Sequence, residues 1–233
     1  MNMKILEKIN NIQNKINQEV EILKDPITHA TAKVDGIVNV EKYLQSNIRI
    51  MWVLKEVNAS EDGEEWNMID TIKDWTGKPI PTEWRKTFDN ILYVTNGILT
   101  STAWEDQNNH YNDLNMTSQL QEIAYCNVKK IPGNSSTNMS NLKKYYKQSD
   151  KHILKQINEL IPQVIIFGGT YDIVEPDLDI MHYSDHGDKN LSWYSTKDQI
   201  IVNAYHPQNT SISHQEYCDG IINAVLEWKS RMD

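Results

Sequence analysis

Four short apolar runs constrain the fold of this chain more than any other feature of its sequence. They span residues 48–54, 123–126, 164–167 and 200–202, and polar residues or glycine follow each of them at once. Apolar runs of this length with such boundaries are typical of buried β-strands. Because segments with helical spacing lie between them, we predict an α/β protein. Its architecture is a three-layer αβα sandwich around a central, mostly parallel four-stranded sheet.

The length of the chain fits a single domain. Its 233 residues are enough for one sizeable hydrophobic core. Apolar residues recur with helical spacing over about residues 4–24 and predict an N-terminal helix. Residues from about 59 to 120 form an insertion rich in polar residues, in which we expect His110 to be a surface histidine. Residues 171–198 are expected to be a polar, irregular loop.

The charge distribution weighs against some classes of protein. The net charge is −9, whereas a nucleic-acid-binding protein is usually basic. Seven lysines nevertheless lie between Lys129 and Lys155, with Asp150 as the single acid. This run is either a solvated helix face or a local patch that contacts phosphates. The chain has no membrane-crossing run, no signal peptide and only two cysteines, so we expect a cytoplasmic protein.

Polar residues follow each predicted strand at its carboxyl end, where ligands bind in parallel α/β sheets. Glu56 and Asn58 follow the first strand, and Asn127 follows the second. Gly168 and Gly169 close the third strand and allow backbone N–H groups to approach a ligand closely. His206 and Pro207 follow the fourth strand, where the proline forces the chain to turn. The sequence therefore predicts one site at this edge of the sheet.

The motifs at these strand ends resemble those of the uracil-DNA glycosylase superfamily. The stretch Asn127-Val-Lys-Lys-Ile-Pro-Gly-Asn134 resembles the "N-V-V-K-C-R-P-P" strand end of the bacterial and archaeal branch. The stretch from Leu154 to Gly168 is similar to "L-x-x-Q-I-x-L-I-x-P-x-V-I-I-x-L-G", and His206-Pro207-Gln208 resembles "H-P-S". These pieces cover roughly half of the chain, in the order and spacing of the family.

The resemblance implies a role for each matching residue. Either Glu56 or Asn58 positions the attacking water, and His206 supports negative charge on the leaving base. Asn127 contacts the base edge at the pocket floor, with Gly168 and Gly169 beside it. Trp66, in the polar insertion, is either an anchor onto the body or a stacking surface for the base. The residues expected to contact the DNA backbone are Lys129, Lys130, Asn134, Ser135 and Gln208.

Several positions depart from the family pattern. Lys55 and Ala59 replace glycines, Asn58 replaces a proline, and Gln208 replaces the serine of "H-P-S". The cysteines that hold an iron–sulfur cluster in one branch are absent, so we expect no cluster, no metal and no other cofactor. The long, tryptophan-rich stretch between Glu56 and Asn127 favours a wide pocket mouth.

The resemblance implies a monomeric DNA glycosylase that acts on single- or double-stranded DNA. It would flip out a uracil-like or modified pyrimidine and hydrolyse its N-glycosidic bond, in DNA repair or in defence against phages. Two alternatives remain. One is a non-catalytic module that binds a nucleotide or a modified base, and the other is a hydrolase of a small nucleoside.

Overall fold

The computed structural model describes residues 3–25, 28–57, 66–111, 113–133, 137–149, 151–187 and 191–231. The helices in these residues are α1 (Met3–Glu21), α2 (Val40–Gln45), α3 (Met68–Asp74), α4 (Thr82–Thr100), α5 (Asn115–Ser118), α6 (Met139–Ser149), α7 (Lys151–Glu159), α8 (Tyr171–Val174) and α9 (His214–Ser230). The strands are β1 (Gly36–Ile37), β2 (Ile50–Leu54), β3 (Ile123–Asn127), β4 (Val164–Gly168), β5 (Ser184–Gly187), β6 (Ser192–Ser195) and β7 (Ile200–Ala204).

The seven strands form one mixed sheet in the order β1-β3-β2-β4-β7-β6-β5. The four predicted strands β3, β2, β4 and β7 lie side by side and are parallel. Strands β1, β6 and β5 extend this parallel centre by antiparallel pairing. The prediction of an α/β protein is therefore confirmed, but the prediction of a four-stranded sheet was wrong.

The three additional strands have weak sequence signals. Strand β1 has two residues, and β5 and β6 have four each. Strand β5 is mostly exposed and polar, and in β6 the sequence Ser-Trp-Tyr-Ser offers only Trp193 as a large buried side chain. The polar loop predicted over residues 171–198 thus contains a hairpin-like pair that pattern reasoning missed, because an apolar alternation is too short to detect there.

Helices pack against both faces of the sheet. On one face, Trp52 and Leu54 of β2 join a core with Phe88 of α4 and Ile221 of α9. On the other face, the alternate residues of β2 join a core with α1 and α7. This division follows from the two-residue period of a strand, which sends successive side chains to opposite faces.

The outer edge of β1 is covered by a side chain of α1. Gln13 accepts a hydrogen bond from the backbone N–H of Ile37 at 2.7 Å and donates to its carbonyl at 2.9 Å. An unpaired strand edge is prone to aggregation, and this glutamine satisfies it as a neighbouring strand would. The predicted N-terminal helix is present, with Ile9, Ile16 and Val20 buried along one stripe.

The predicted insertion contains more regular structure than its composition suggests. Helices α3, α4 and α5 lie within it, and α4 supplies much of the core on one face of the sheet. The expectation for His110 was wrong, because its side chain is completely buried with Nε2 at 3.1 Å from Asp89 Oδ1. No helix in the described part of the chain combines the length and the apolar character needed to cross a membrane.

Candidate functional site

The carboxyl ends of four adjacent parallel strands bring the predicted site residues to one edge, which we call the rim. The register pairs Leu54 of β2 with Asn127 of β3, and Gly168 of β4 with Ala204 of β7. Glu56 and His206 each lie two residues beyond the end of their strand. Strand β4 separates β2 from β7, so the backbones that carry Glu56 and His206 leave the sheet about 10 Å apart.

Glu56 is held in a narrow place with little access to solvent. Its side chain is 6% exposed, and Lys129 Nζ lies 3.9 Å from its Oε2. A Cβ added to Gly133 would lie 2.5 Å from Glu56 Oε1, so a larger residue there would displace the carboxylate. The backbone N–H of Gly133 donates to the Val57 carbonyl at 2.8 Å and holds the two segments together. Glu56 and Lys129 thus lie side by side on the rim.

His206 lies beside Lys55 and Gly169. A Cβ added to Gly169 would lie 3.4 Å from both Lys55 Cε and His206 N. Burial, and secondly the charge of Lys55, lower the pKa of His206 from 6.5 to about 4. The backbone N–H of Gln208 donates to His206 Nδ1 at 3.2 Å. Because Nδ1 is an acceptor, the proton of the neutral ring belongs on Nε2, which is thereby a hydrogen-bond donor.

The two glycines at the end of β4 are required by close packing. A Cβ on Gly168 would collide with Leu54 and lie 3.0 Å from Pro207. Gly169 has a φ of +69°, in the left-handed region that favours glycine. Its N–H donates to the Ala204 carbonyl at 2.8 Å. The pair therefore lets β4, Lys55 and the His206 loop come together, and a contact between these glycines and a base stays a prediction.

Two polar residues of α4, which the sequence analysis did not select, anchor the His206 loop. Asn90 is 2% exposed, and its Nδ2 donates to the Pro207 carbonyl at 2.6 Å. Gln208 Nε2 donates to Thr87 Oγ1 at 2.6 Å. The available signal was the presence of polar residues at i and i+3 on the buried side of an amphipathic helix.

Asn127 belongs to a buried polar network around Asp35, another residue that the sequence analysis missed. Its backbone N–H donates to Asp35 Oδ2 at 2.7 Å, and its side-chain Nδ2 lies 3.3 Å from the same oxygen. Lys130 Nζ donates to Asp35 Oδ1 at 2.6 Å and to Gln156 Oε1 at 2.7 Å. The Asn127 side-chain oxygen, Oδ1, is buried without a hydrogen-bond partner among the described residues. An unpaired buried acceptor is rare in folded proteins and requires an explanation.

This network corrects the expectation for Lys130. Its side chain is 1% exposed and its ammonium is bound by Asp35 and Gln156, so it is not placed to contact a DNA phosphate. The reason is alternation along the extended chain after β3, which turns Lys130 inward with Cys126 and Val128 and leaves Lys129 on the rim. The sequence Lys-Lys by itself does not tell which of the two lysines points inward.

The other lysines of the run between residues 129 and 155 whose side chains the structure describes divide into two groups. Lys143, Lys144 and Lys147 are exposed on α6. Helix α6 is tied to the chain around the rim, because the Tyr145 hydroxyl accepts from the Lys130 N–H at 3.3 Å. Lys155 Nζ instead forms an ion pair with Glu19 Oε1 of α1 at 2.8 Å. Among the side chains that the structure describes, the lysines of α6 and Lys129 are therefore the ones left for a phosphate-contacting patch, and a solvated helix face stays the alternative.

Trp66 is anchored onto the body of the protein, the first of the two alternatives considered above. It packs edge-to-face with Trp84, with ring centroids 6.2 Å apart, and Lys33 Nζ lies 4.6 Å from its ring centroid. Stacking of this ring on a base stays a prediction. Asn58, Asn134 and Ser135 lie outside the described residues.

A polar cleft of about 450 Å³ lies away from the rim, between α1 and the segments that carry β1 and α3. Asn10, Asn17, Asn39 and Asn67 are among its lining residues, and none of the predicted site residues belongs to the lining. Within the described residues, no group of three or more histidine, cysteine, aspartate and glutamate side chains is arranged to hold a metal ion.

Comparison with known proteins adds no assignment to this geometry. No family model matches the sequence, and no curated protein matches it. The resemblance to the uracil-DNA glycosylases therefore stays a prediction from the motifs at the strand ends.

Proposed function

We propose that this protein is a DNA glycosylase that hydrolyses the N-glycosidic bond of a flipped-out, uracil-like or modified pyrimidine. One observation carries the proposal. A shielded carboxylate, Glu56, and a neutral hydrogen-bond donor, His206, stand on the same rim with one strand between them. The motifs that resemble the uracil-DNA glycosylase superfamily support the same function.

The reaction requires stabilisation at two separate places. Breaking the bond between sugar and base builds positive charge on the sugar and negative charge on the departing base. Fixed charges and dipoles aimed at these places lower the barrier, since they need no reorganisation during the reaction. A backbone separation of about 10 Å between the two groups leaves room for a nucleoside between their side chains.

His206 and Lys55 act on the base. With its pKa at about 4, His206 is neutral at physiological pH and donates from Nε2 to an oxygen of the departing base. Lys55, which occupies the position of a family glycine, adds a positive charge beside this donor. A fixed donor and a nearby cation together stabilise the base anion.

Glu56 acts on the sugar and on the attacking water. Its carboxylate is shielded from solvent, which strengthens its interaction with positive charge on the sugar. Lys129 lies near one carboxylate oxygen at 3.9 Å, too far for a hydrogen bond, so the carboxylate keeps acceptor capacity for a water molecule. Asn58 remains the alternative residue for positioning this water.

The substrate is a nucleic acid rather than a free nucleoside. The exposed lysines of α6 favour a polyanionic ligand on a protein whose net charge is −9. The departures at Lys55 and Ala59, together with the long stretch before Asn127, favour a modified pyrimidine, as expected of a defence enzyme against phages with altered DNA.

The proposal is tested by incubating the protein with oligonucleotides that contain uracil or 5-substituted pyrimidines and cleaving the abasic sites with alkali. We expect strand breaks at the modified base, and a rate about 10²–10³-fold lower for His206→Ala. Turnover of free nucleosides but not of oligonucleotides would select the nucleoside hydrolase. Failure to release any base, by a protein shown to be folded, would overturn the proposal.

A further inference from the structure

We propose that Asp35 is a positioning residue that fixes the side-chain amide of Asn127, and so restricts the site to bases that present an N–H group to it. This inference rests on the proposed function and deepens it. Uracil and its 5-substituted forms carry such a group at N3, whereas cytosine and its 5-substituted forms carry a lone pair at the same ring position.

The hydrogen bonds around Asp35 fix the orientation of its carboxylate. Asp35 is 1% exposed, and its Oδ1 accepts from Lys130 Nζ at 2.6 Å and from Gln156 Nε2 at 2.9 Å. Gln156 Nε2 also donates to the Asp35 carbonyl at 3.1 Å. The other carboxylate oxygen, Oδ2, is thereby turned toward Asn127, whose backbone N–H donates to it at 2.7 Å.

This carboxylate oxygen determines which way the Asn127 amide faces. An ionised carboxylate only accepts hydrogen bonds, so the NH₂ end of the amide must face it. Nδ2 lies 3.3 Å from Asp35 Oδ2. The reverse orientation would set the amide oxygen against a carboxylate oxygen at the same short distance.

The remaining amide atom, Oδ1, is the one left to accept a hydrogen bond from a ligand. It is buried without a partner among the described residues, on a side chain that is 1% exposed. A buried acceptor without a donor is unfavourable, and an N–H group of a base removes this penalty. A base that offers a lone pair at the same place meets the acceptor with like charge. Discrimination of about 100-fold or more is therefore expected, since a site built for a hydrogen bond rejects an analogue that lacks it.

The test replaces the carboxylate by an amide in Asp35→Asn. The introduced NH₂ group would then donate to Asn127 Oδ1 and allow the Asn127 amide to turn its own NH₂ outward. Because Lys130 would lose its counter-charge in a buried place, the double variant Asp35→Asn/Lys130→Met keeps the experiment independent of this destabilisation. Asp219→Asn is the matched control, because it makes the same change of carboxylate to amide at a residue of α9 that accepts from the Trp104 N–H and takes no part in the Asp35 network.

Two readouts are needed. The first is the excision ratio of uracil to cytosine, and of thymine to 5-methylcytosine, in otherwise identical oligonucleotides. The second is hydrogen exchange of the Asn127 side-chain NH₂, measured by NMR on ¹⁵N-asparagine-labelled protein without DNA. We expect slow exchange and a high ratio for the wild type and Asp219→Asn. Both Asp35 variants should show faster exchange and a ratio lowered at least 10-fold.

The possible failures are distinguishable. An unchanged ratio in Asp35→Asn/Lys130→Met, in a protein that still releases uracil, overturns the role of Asp35 and leaves the glycosylase proposal intact. If the wild type releases no base from any substrate while the Asn127 NH₂ is protected, the proposed function is overturned, and the substrate restriction with it. Fast exchange of this NH₂ in the wild type overturns the fixed orientation itself.

Discussion

Two neighbouring lysines form two very different pairs with carboxylates. Lys130 Nζ lies 2.6 Å from Asp35 Oδ1, and neither side chain is more than 1% exposed. Lys129 Nζ lies 3.9 Å from Glu56 Oε2, with side chains that are 20% and 6% exposed. The first pair is closed, because further hydrogen bonds from Gln156 and Asn127 surround the carboxylate. The second pair is open.

The difference between the two ion pairs shows which charged groups remain available for a ligand. A buried ion pair is stable only when its polar atoms are hydrogen-bonded. Its charged groups then have no hydrogen-bonding capacity left for a substrate. A longer, partly exposed pair keeps carboxylate oxygens and ammonium hydrogens free for one. We therefore assign the closed pair to the architecture of the site and the open pair to its chemistry.

The largest expected effect tests the open pair. Glu56→Gln should lower the rate of base excision about 10²–10³-fold, because it removes the negative charge that faces the sugar. The unfolding free energy should change little, since the ion pair that Glu56 forms within the described residues is long. Single-turnover kinetics and urea unfolding measure the two quantities. Glu83→Gln, at an exposed position in the first turn of α4, is the control. Full activity of Glu56→Gln would shift the role to Asn58.

A substitution in the closed pair should affect the stability of the protein strongly. Lys130→Met should destabilise the protein by about 3–5 kcal/mol, because the carboxylate of Asp35 is left buried without its counter-charge. Lys129→Met should change stability by no more than about 1 kcal/mol. Denaturant unfolding of both variants checks the contrast. Equal destabilisation by the two substitutions would contradict the distinction between the pairs.

A smaller effect is expected for the α4 residues that anchor the His206 loop. Asn90→Leu removes the donor to the Pro207 carbonyl and should cost about 1–3 kcal/mol of stability, since that carbonyl becomes unsatisfied. The His206 loop should loosen, and excision should slow about 10-fold at unchanged substrate affinity. Thr87→Val, which removes only the acceptor for the exposed Gln208 side chain, is the milder companion. If kcat keeps its wild-type value, Asn90 has a purely structural role.

The exposed lysines of α6 are expected to affect DNA binding and not stability. Replacement of Lys143, Lys144 and Lys147 by glutamine should weaken DNA binding and reduce the slope of log K against log salt concentration by about 2–3. Stability should remain nearly unchanged, since these side chains are exposed. Fluorescence anisotropy over a range of salt concentrations measures the slope. An unchanged slope would exclude α6 from the DNA interface.

The last effect concerns the protonation of His206. Its pKa is lowered from 6.5 to about 4, so between these pH values the unfolded chain binds a proton that the native protein does not. Stability should therefore fall as the pH falls from 6.5 to 4. Lys55→Met should raise the pKa of His206 partway toward 6.5, because it removes the positive charge beside the ring. NMR titration of the imidazole checks this shift, and an unshifted pKa in the wild type would contradict the neutral donor.

The sequence predicted the parallel centre of the fold well, because its four strands are apolar runs with sharp polar ends. Their shared edge brought Glu56, Asn127 and His206 into one prediction. It could not reveal Asp35, since a two-residue strand next to it has no periodic signal. Nor could it separate Lys129 from Lys130, because the direction of each side chain depends on how the segment after β3 pairs with the Lys33 and Lys55 segments.

The central claim is that the rim, and not another surface, holds the sugar and base during the reaction. The most direct test is an NMR titration of the ¹⁵N-labelled protein with an oligonucleotide in which a cationic pyrrolidine replaces one sugar. Such a group imitates the positive charge of the transition state. We expect the largest shifts at Lys55, Glu56, Gly169 and His206. Shifts confined to the polar cleft between α1 and α3, or no shifts at all, would contradict the account.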